Sequence, residues 1–121
     1  MQDRFTVEVL PADGAVVLRV AGELDHDTAG PLRAALEEAL AGEGPTRLVI
    51  DCTGLEFCDS TGLNTLLRAR LAAREGGGDV ELAALNRTVA RLFRITGADG
   101  IFPVHRDLAE ALATPPAEDR P

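Results

Sequence analysis

Leu48-Val49-Ile50-Asp51-Cys52-Thr53-Gly54-Leu55-Glu56-Phe57-Cys58-Asp59-Ser60-Thr61-Gly62-Leu63 is the stretch that decides the fold. Consecutive aliphatic residues at Leu48, Val49 and Ile50 read as a strand buried on both faces, spanning Arg47 to Cys52. After a short loop, Asp59-Ser60-Thr61-Gly62 opens an apolar pattern of Leu63, Leu66, Leu67 and Leu71 at helical spacing. The passage is thus a strand-to-helix turn that places a hydroxyl where a helix begins. A helix start has main-chain N–H groups without partners and the positive end of the helix dipole, so an oxygen acceptor or a phosphate suits it. Ser60 is therefore either a helix cap or a phosphorylation site.

Working toward the N-terminus, Phe5, Val7 and Val9 alternate with polar residues, and Pro11 with Asp13-Gly14 supplies a turn into Ala15 to Ala21. This predicts a β-hairpin. Thr28 reads as the N-cap of a helix with Pro31 in its first turn and an apolar stripe of Leu32, Leu36, Ala39 and Leu40 ending before Gly42.

Toward the C-terminus, Gly76-Gly77-Gly78 ends the helix that Ser60 begins. Val80 to Ala83 reads as a short strand and Asn86 as a cap. Val89, Leu92, Phe93 and Thr96 mark a third helix closed by Gly97. An edge strand over Ile101 to Val104 and a helix started by Asp107 and Glu110 complete the pattern. The expected architecture is α/β: one domain over residues 1–113, an N-terminal hairpin leading into a mixed sheet of four to five strands, and helices mainly on one face. Residues 114–121 are expected to be a disordered tail.

Composition excludes several classes. The chain has 121 residues, room for one domain only, and its aromatic share is 3%, with four Phe and no Trp or Tyr. A base-stacking surface has little to build on. The net charge of −8 opposes nucleic acid and anionic membrane. All twelve basic residues are arginine, so Schiff-base chemistry, a Walker-type phosphate loop and Lys-assisted aspartyl phosphorylation lack their key side chain. No signal peptide or membrane span is legible, which predicts a cytoplasmic protein.

Cys52 and Cys58 fit no zinc or redox spacing and read as core fillers, although a thiol beside a helix start is also a candidate for a lowered pKa and redox sensing. Glu23, Asp25, Asp27, Asp51 and Asp59 include strand-end carboxylates that can take Mg²⁺, but no phosphate loop or suitably placed His supports them, so capping and solvation are preferred. Arg87, Arg91 and Arg94 recur on the third helix, where a solvated face opposite the Leu92 and Phe93 core is preferred to an anionic docking face.

The chain resembles the bacterial anti-sigma factor antagonists, single-domain members of the STAS family. The resemblance rests on Gly22-Glu23-Leu24-Asp25 with Thr28-Ala29 and Pro31-Leu32, on Leu48-Val49-Ile50-Asp51, on Phe57-Cys58-Asp59-Ser60-Thr61-Gly62-Leu63, and on Leu92-Phe93-Arg94-Ile95-Thr96-Gly97. These segments run in order from Phe5 to Leu112. The resemblance implies that Ser60 accepts phosphate, with Thr61 as the fallback. It also implies that Glu23, Asp25, Asp59, Thr61, Gly62, Leu63 and Asn64 form the partner-binding neighbourhood. Asn64 stands where the family has Gly, and Cys58 where Met or Leu is usual.

Implied partners are an anti-sigma factor that is also a serine kinase and a PP2C-like phosphatase that resets the cycle. The protein itself would be no enzyme, would need no cofactor or metal, and would be a monomer when free. Two other readings stay open: a STAS interaction subunit of a lipid-transport or stressosome-type assembly, and a metal-dependent hydrolase using Asp25 and Asp59.

Overall fold

In a computed structural model of the chain, residues 4–116 are described. Strands β1 (Phe5–Ala12), β2 (Ala15–Leu24), β3 (Arg47–Cys58), β4 (Asp79–Ala83) and β5 (Val104–His105) form one sheet in the order β1-β2-β3-β4-β5. The hairpin pair β1 and β2 is antiparallel, and the remaining pairs are parallel. Helices α1 (Ala29–Leu40), α2 (Ser60–Glu75) and α3 (Arg87–Thr96) make the three crossovers, and α4 (Leu108–Ala113) follows the last strand.

This topology explains the one-sided helical layer. Right-handed crossovers that all step in the same direction across a sheet put their helices on the same face. The main core accordingly joins Leu18, Val20, Leu48, Ile50 and Leu82 of the sheet to Leu32, Leu36, Leu66 and Phe93 of the helices. Helix α4 has no crossover to make and lies on the opposite face, where Ala111 meets Val17, Val49 and Ala83. Beneath it Arg47 makes a fork to Glu81 (2.7 and 3.0 Å), and its Nη2 also donates to the carbonyls of Ala111 and Thr114. His105 Nε2 lies 2.8 Å from the same carboxylate. Burial pushes the Glu81 carboxyl up, but the hydrogen bonds and charges of Arg47 and His105 outweigh it and hold the group below the usual glutamate range.

Several sequence expectations shift. Strand β3 runs on to Cys58 instead of ending at Cys52, because irregular pairing between Arg19 and Ala21 and between Gly22 and Glu23 of β2 lets it continue past Gly54. A β-carbon on Gly54 would lie 2.8 Å from that of Ala21, so only glycine fits this crossing. Pro11, expected in the turn, sits inside β1 opposite Val16, which an edge strand tolerates. The last strand is Val104–His105 instead of Ile101 to Val104, since the chain after Gly97 first makes a 3₁₀ turn over Ala98–Gly100. Leu71 is 64% exposed, and Leu67 is only half-buried. On α2 the core stripe passes through Leu63, Leu66, Ala69 and Ala73.

Of the expected tail, Thr114 is held by hydrogen bonds: its N–H donates to Glu110 and its carbonyl accepts from Arg47. Residues 117–121 lie outside the described residues.

Candidate functional site

Parallel pairing of β2 with β3 brings two strand-to-helix turns side by side. Leu24 pairs with Cys58, and the Asp59 N–H donates to the Leu24 carbonyl at 3.1 Å. The Asp25–Thr28 turn and the Asp59–Gly62 turn therefore share one edge of the sheet, where α/β proteins gather their sites.

Asp59, and not Ser60, caps α2. Its Oδ1 accepts from the Gly62 N–H at 2.9 Å and its carbonyl accepts from Leu63 N–H at 2.9 Å. Its Oδ2 accepts from the His26 N–H at 3.1 Å, so one carboxylate ties both turns together. Ser60 is thereby released from the capping role. It is the first residue of the helix, exposed, and its hydroxyl has no hydrogen-bond partner among the described residues. The N–H groups of Ser60 and Thr61 also have no hydrogen-bond partner among these residues. The exposed start of α2 thus offers a hydroxyl oxygen and two unpaired main-chain donors in consecutive residues.

Gly62 is required for this approach. A β-carbon there would meet Leu24 Cγ at 2.6 Å and Cys58 Sγ at 3.0 Å, so any side chain would push α2 off the β2 end. Gly62 and Leu63 are buried and build the turn from beneath. Thr61 is half-buried and Asn64 exposed. Both line a groove of about 620 Å³ between α1 and α2, with Arg33 and Arg68 on its rim.

The neighbouring turn is organised by Asp25. Its Oδ1 accepts from the N–H groups of Asp27 (2.9 Å) and Thr28 (3.1 Å) and from the Thr28 hydroxyl (3.2 Å), while Arg4 pairs with Oδ2 at 3.2 Å. Desolvation works against ionisation, but the Asp27 N–H, the Thr28 hydroxyl and the Arg4 charge prevail and hold the carboxyl below the usual aspartate range. Thr28 occupies the N-cap position of α1 as expected, yet its hydroxyl does not cap. It donates instead to the Glu23 carbonyl at 2.7 Å and accepts from Asp25 N–H at 2.8 Å. Glu23 is exposed and pairs with Phe57, itself 42% exposed. Gly22, with φ of +96°, lets the Arg4 carbonyl pass where a β-carbon would stand.

Sequence reasoning missed Arg4 and His26 because both act through loop geometry that no periodicity records. Arg33 was equally hidden, since only the packing of α1 beside α2 brings it to the groove rim.

The redox alternative for Cys58 does not hold. Burial pushes its thiol up to about 12, with the Asp59 charge adding to the effect, so the helix start does not generate a thiolate. Asp51 turns away from the edge, toward Arg19 (3.3 Å) and the Thr53 hydroxyl (2.6 Å). Among the described residues no group of three or more His, Cys, Asp or Glu side chains is arranged to hold a metal ion, and no helix is long and apolar enough to cross a membrane.

A sheet with a hairpin start, three crossover helices on one face, and an exposed hydroxyl at the second helix start defines the class as a single α/β domain built on a mixed five-stranded sheet. The family described as "Mlab, STAS domain" matches residues 9–112, and the chain belongs to this STAS family, among the anti-sigma factor antagonists. The anti-sigma-F factor antagonist RsfB of Mycobacterium tuberculosis is 34% identical over 112 residues, covering 91% of this chain and 88% of that protein. The crystal structure of an anti-sigma factor antagonist from Mycobacterium paratuberculosis superposes with a TM-score of 0.81 at 33% identity, covering 90% of this chain and 92% of the other. The Bacillus cell fate determinant SpoIIAA in its phosphorylated form superposes with a TM-score of 0.69 at 26% identity, covering 90% and 96%.

Proposed function

We propose that this protein is an anti-sigma factor antagonist that works by switching partners. In the unphosphorylated state it binds an anti-sigma factor that is also a serine kinase, and the sigma factor held by that protein is released. The kinase then transfers the γ-phosphoryl group of ATP to Ser60 Oγ and lets go, and a PP2C-like phosphatase restores the hydroxyl. The protein is substrate and ligand in this cycle, not a catalyst.

The observation that carries the reading is the division of labour at the α2 start: Asp59 caps, so the Ser60 hydroxyl stays exposed and unengaged. The relatives named anti-sigma factor antagonists support the same reading. Phosphorylation adds about −1.5 to −2 charge. The free N–H groups of the helix start accommodate it with little change to the fold, so its effect falls on the interface. The edge around Ser60 already carries Glu23, Asp25, Asp27, Glu56 and Asp59, with Arg4 as the near counter-charge. A partner carboxylate about 10 Å away is repelled by about 1.7 kcal/mol per unit of added charge at an effective dielectric of about 20. A dianion therefore shifts affinity by about two orders of magnitude, enough to exchange one partner for another.

Incubation with the cognate kinase and ATP, followed by mass spectrometry, tests the modification. Phosphate on Ser60 that is lost in Ser60→Ala supports the reading. Phosphate confined to other residues contradicts it, with modification of Thr61 assigning the fallback site.

A further inference from the structure

Of the eleven described arginines, six pair with acids, Arg33 and Arg68 stand unpaired beside the groove between α1 and α2, and three more stand together on α3. Arg4, Arg19, Arg47, Arg70, Arg74 and Arg106 each meet an acidic side chain within the range of an ion pair. Arg87, Arg91 and Arg94 have no such partner among the described residues, in a chain where acids outnumber bases 20 to 12. They stand at positions i, i+4 and i+7 of α3, which lays three exposed guanidinium groups along one stripe of about 10 Å. The stripe faces directly away from Val89 and Phe93, the buried residues of the helix. Beside it stands Ile95, at 71% the most exposed large apolar side chain among the described residues. At its lower end Arg94 opens onto a cleft of about 510 Å³ that also takes in Asp99, Val104, 43% exposed, and Arg106.

A merely solvated face does not need this combination. Like charges at i, i+4 on one helix repel, and no glutamate or aspartate occurs on α3 to relieve them. We propose that the Arg87, Arg91 and Arg94 stripe with Ile95 is a docking surface for an acidic, amphipathic polypeptide segment of a partner protein, separate from the Ser60 edge. Charge complementarity names the occupant. The net charge of −8 opposes an anionic bilayer and nucleic acid, extended polyanions that would also meet the acidic remainder of the surface, whereas a short segment meets the stripe alone; a ten-residue helix with a single outward isoleucine also buries too little apolar area to rest in a lipid interface. Base stacking has no exposed aromatic ring on this helix, whose Phe93 is buried. A segment with carboxylates at helical spacing and an apolar residue beside them satisfies all four side chains. Since the stripe shares no residue with the Ser60 turn, its occupancy does not depend on the charge of Ser60, and the proposal does not rest on the phosphorylation cycle.

The test uses the full chain and a fluorescently labelled helical peptide carrying glutamates three and four residues apart with a leucine alongside, read by anisotropy at physiological salt. Wild type binds, Arg87→Glu with Arg91→Glu weakens binding by about tenfold or more, and Ile95→Ser weakens it independently of salt. The charge-matched control Arg33→Glu with Arg68→Glu, which alters two other unpaired exposed arginines, changes affinity by less than about twofold. Arg87→Gln with Arg91→Gln, whose melting curve checks the fold, gives an intermediate loss. Absence of binding by wild type, or equal losses in the two glutamate pairs, overturns the proposal. So does arginine-dependent binding to phosphatidylglycerol vesicles in preference to the peptide.

Discussion

The carboxylate of Asp59 holds the His26 main-chain N–H at 3.1 Å with one oxygen while the other caps α2 through the Gly62 N–H at 2.9 Å. Two turns far apart in sequence are thus pinned by a single side chain, and the Ser60 hydroxyl lies at their junction. Asp59→Ala removes the cap and the tie together and is expected to cost about 1–2 kcal/mol in chemical denaturation. Asp59→Asn keeps an acceptor for Gly62, so its melting temperature stays within a few degrees of wild type while its behaviour toward the kinase changes. Equal destabilisation by both substitutions would make charge, not capping, the stabilising element.

Burial along α2 ranks its leucines. Leu66 is 1% exposed, Leu67 half-buried and Leu71 64% exposed. Leu66→Ala is expected to cost about 2–5 kcal/mol, Leu67→Ala about half as much, and Leu71→Ala less than about 0.5 kcal/mol. Urea unfolding of the three variants measures the order, and a costly Leu71→Ala would contradict the packing.

How far the sequence carried this description depends on the kind of signal. The strand and helix order was legible because aliphatic runs and helical stripes follow directly from burial on one or two faces, as at Leu48 to Ile50 and at Val89 and Phe93. Asn86 and Asp107 were legible as caps, and each accepts from the N–H three residues on. The extension of β3 to Cys58 was not, since Gly54 reads as a breaker until the closeness of Ala21 is known. At the site, the turn and its hydroxyl could be read, but not which of Asp59 and Ser60 caps. Both residue types serve, and only the His26 and Gly62 geometry distinguishes them.

Acid sensitivity has a defined source. The Glu81 carboxyl is held low by Arg47 and His105, so the native state binds fewer protons than the unfolded chain there. The resulting stability is complete above the ordinary glutamate value of about 4.3 and is lost as pH falls through the lowered native value. Asp25, also lowered, acts in the same direction. Glu81→Gln should flatten this part of the stability profile while destabilising the protein at neutral pH by about 3 kcal/mol or more, because Arg47 is left without its counter-charge. An unchanged acid limb would refute the assignment.

Both thiols should be inert in the native state. Burial pushes Cys52 and Cys58 up to about 12, so a disulfide reagent at mildly alkaline pH should modify them only as fast as the protein unfolds. Rapid labelling of Cys58 under native conditions would show an open turn.

In the proposed switch a charge on Ser60, and not the loss of its hydroxyl, releases the partner. Calorimetric titration of the cognate anti-sigma factor against wild type, Ser60→Ala and Ser60→Asp decides it. Ser60→Ala is expected to bind as wild type does and Ser60→Asp about tenfold more weakly or worse, a single carboxylate being worth less than a phosphate dianion. Equal affinity of all three proteins, or loss of binding by Ser60→Ala with retention by Ser60→Asp, would contradict it.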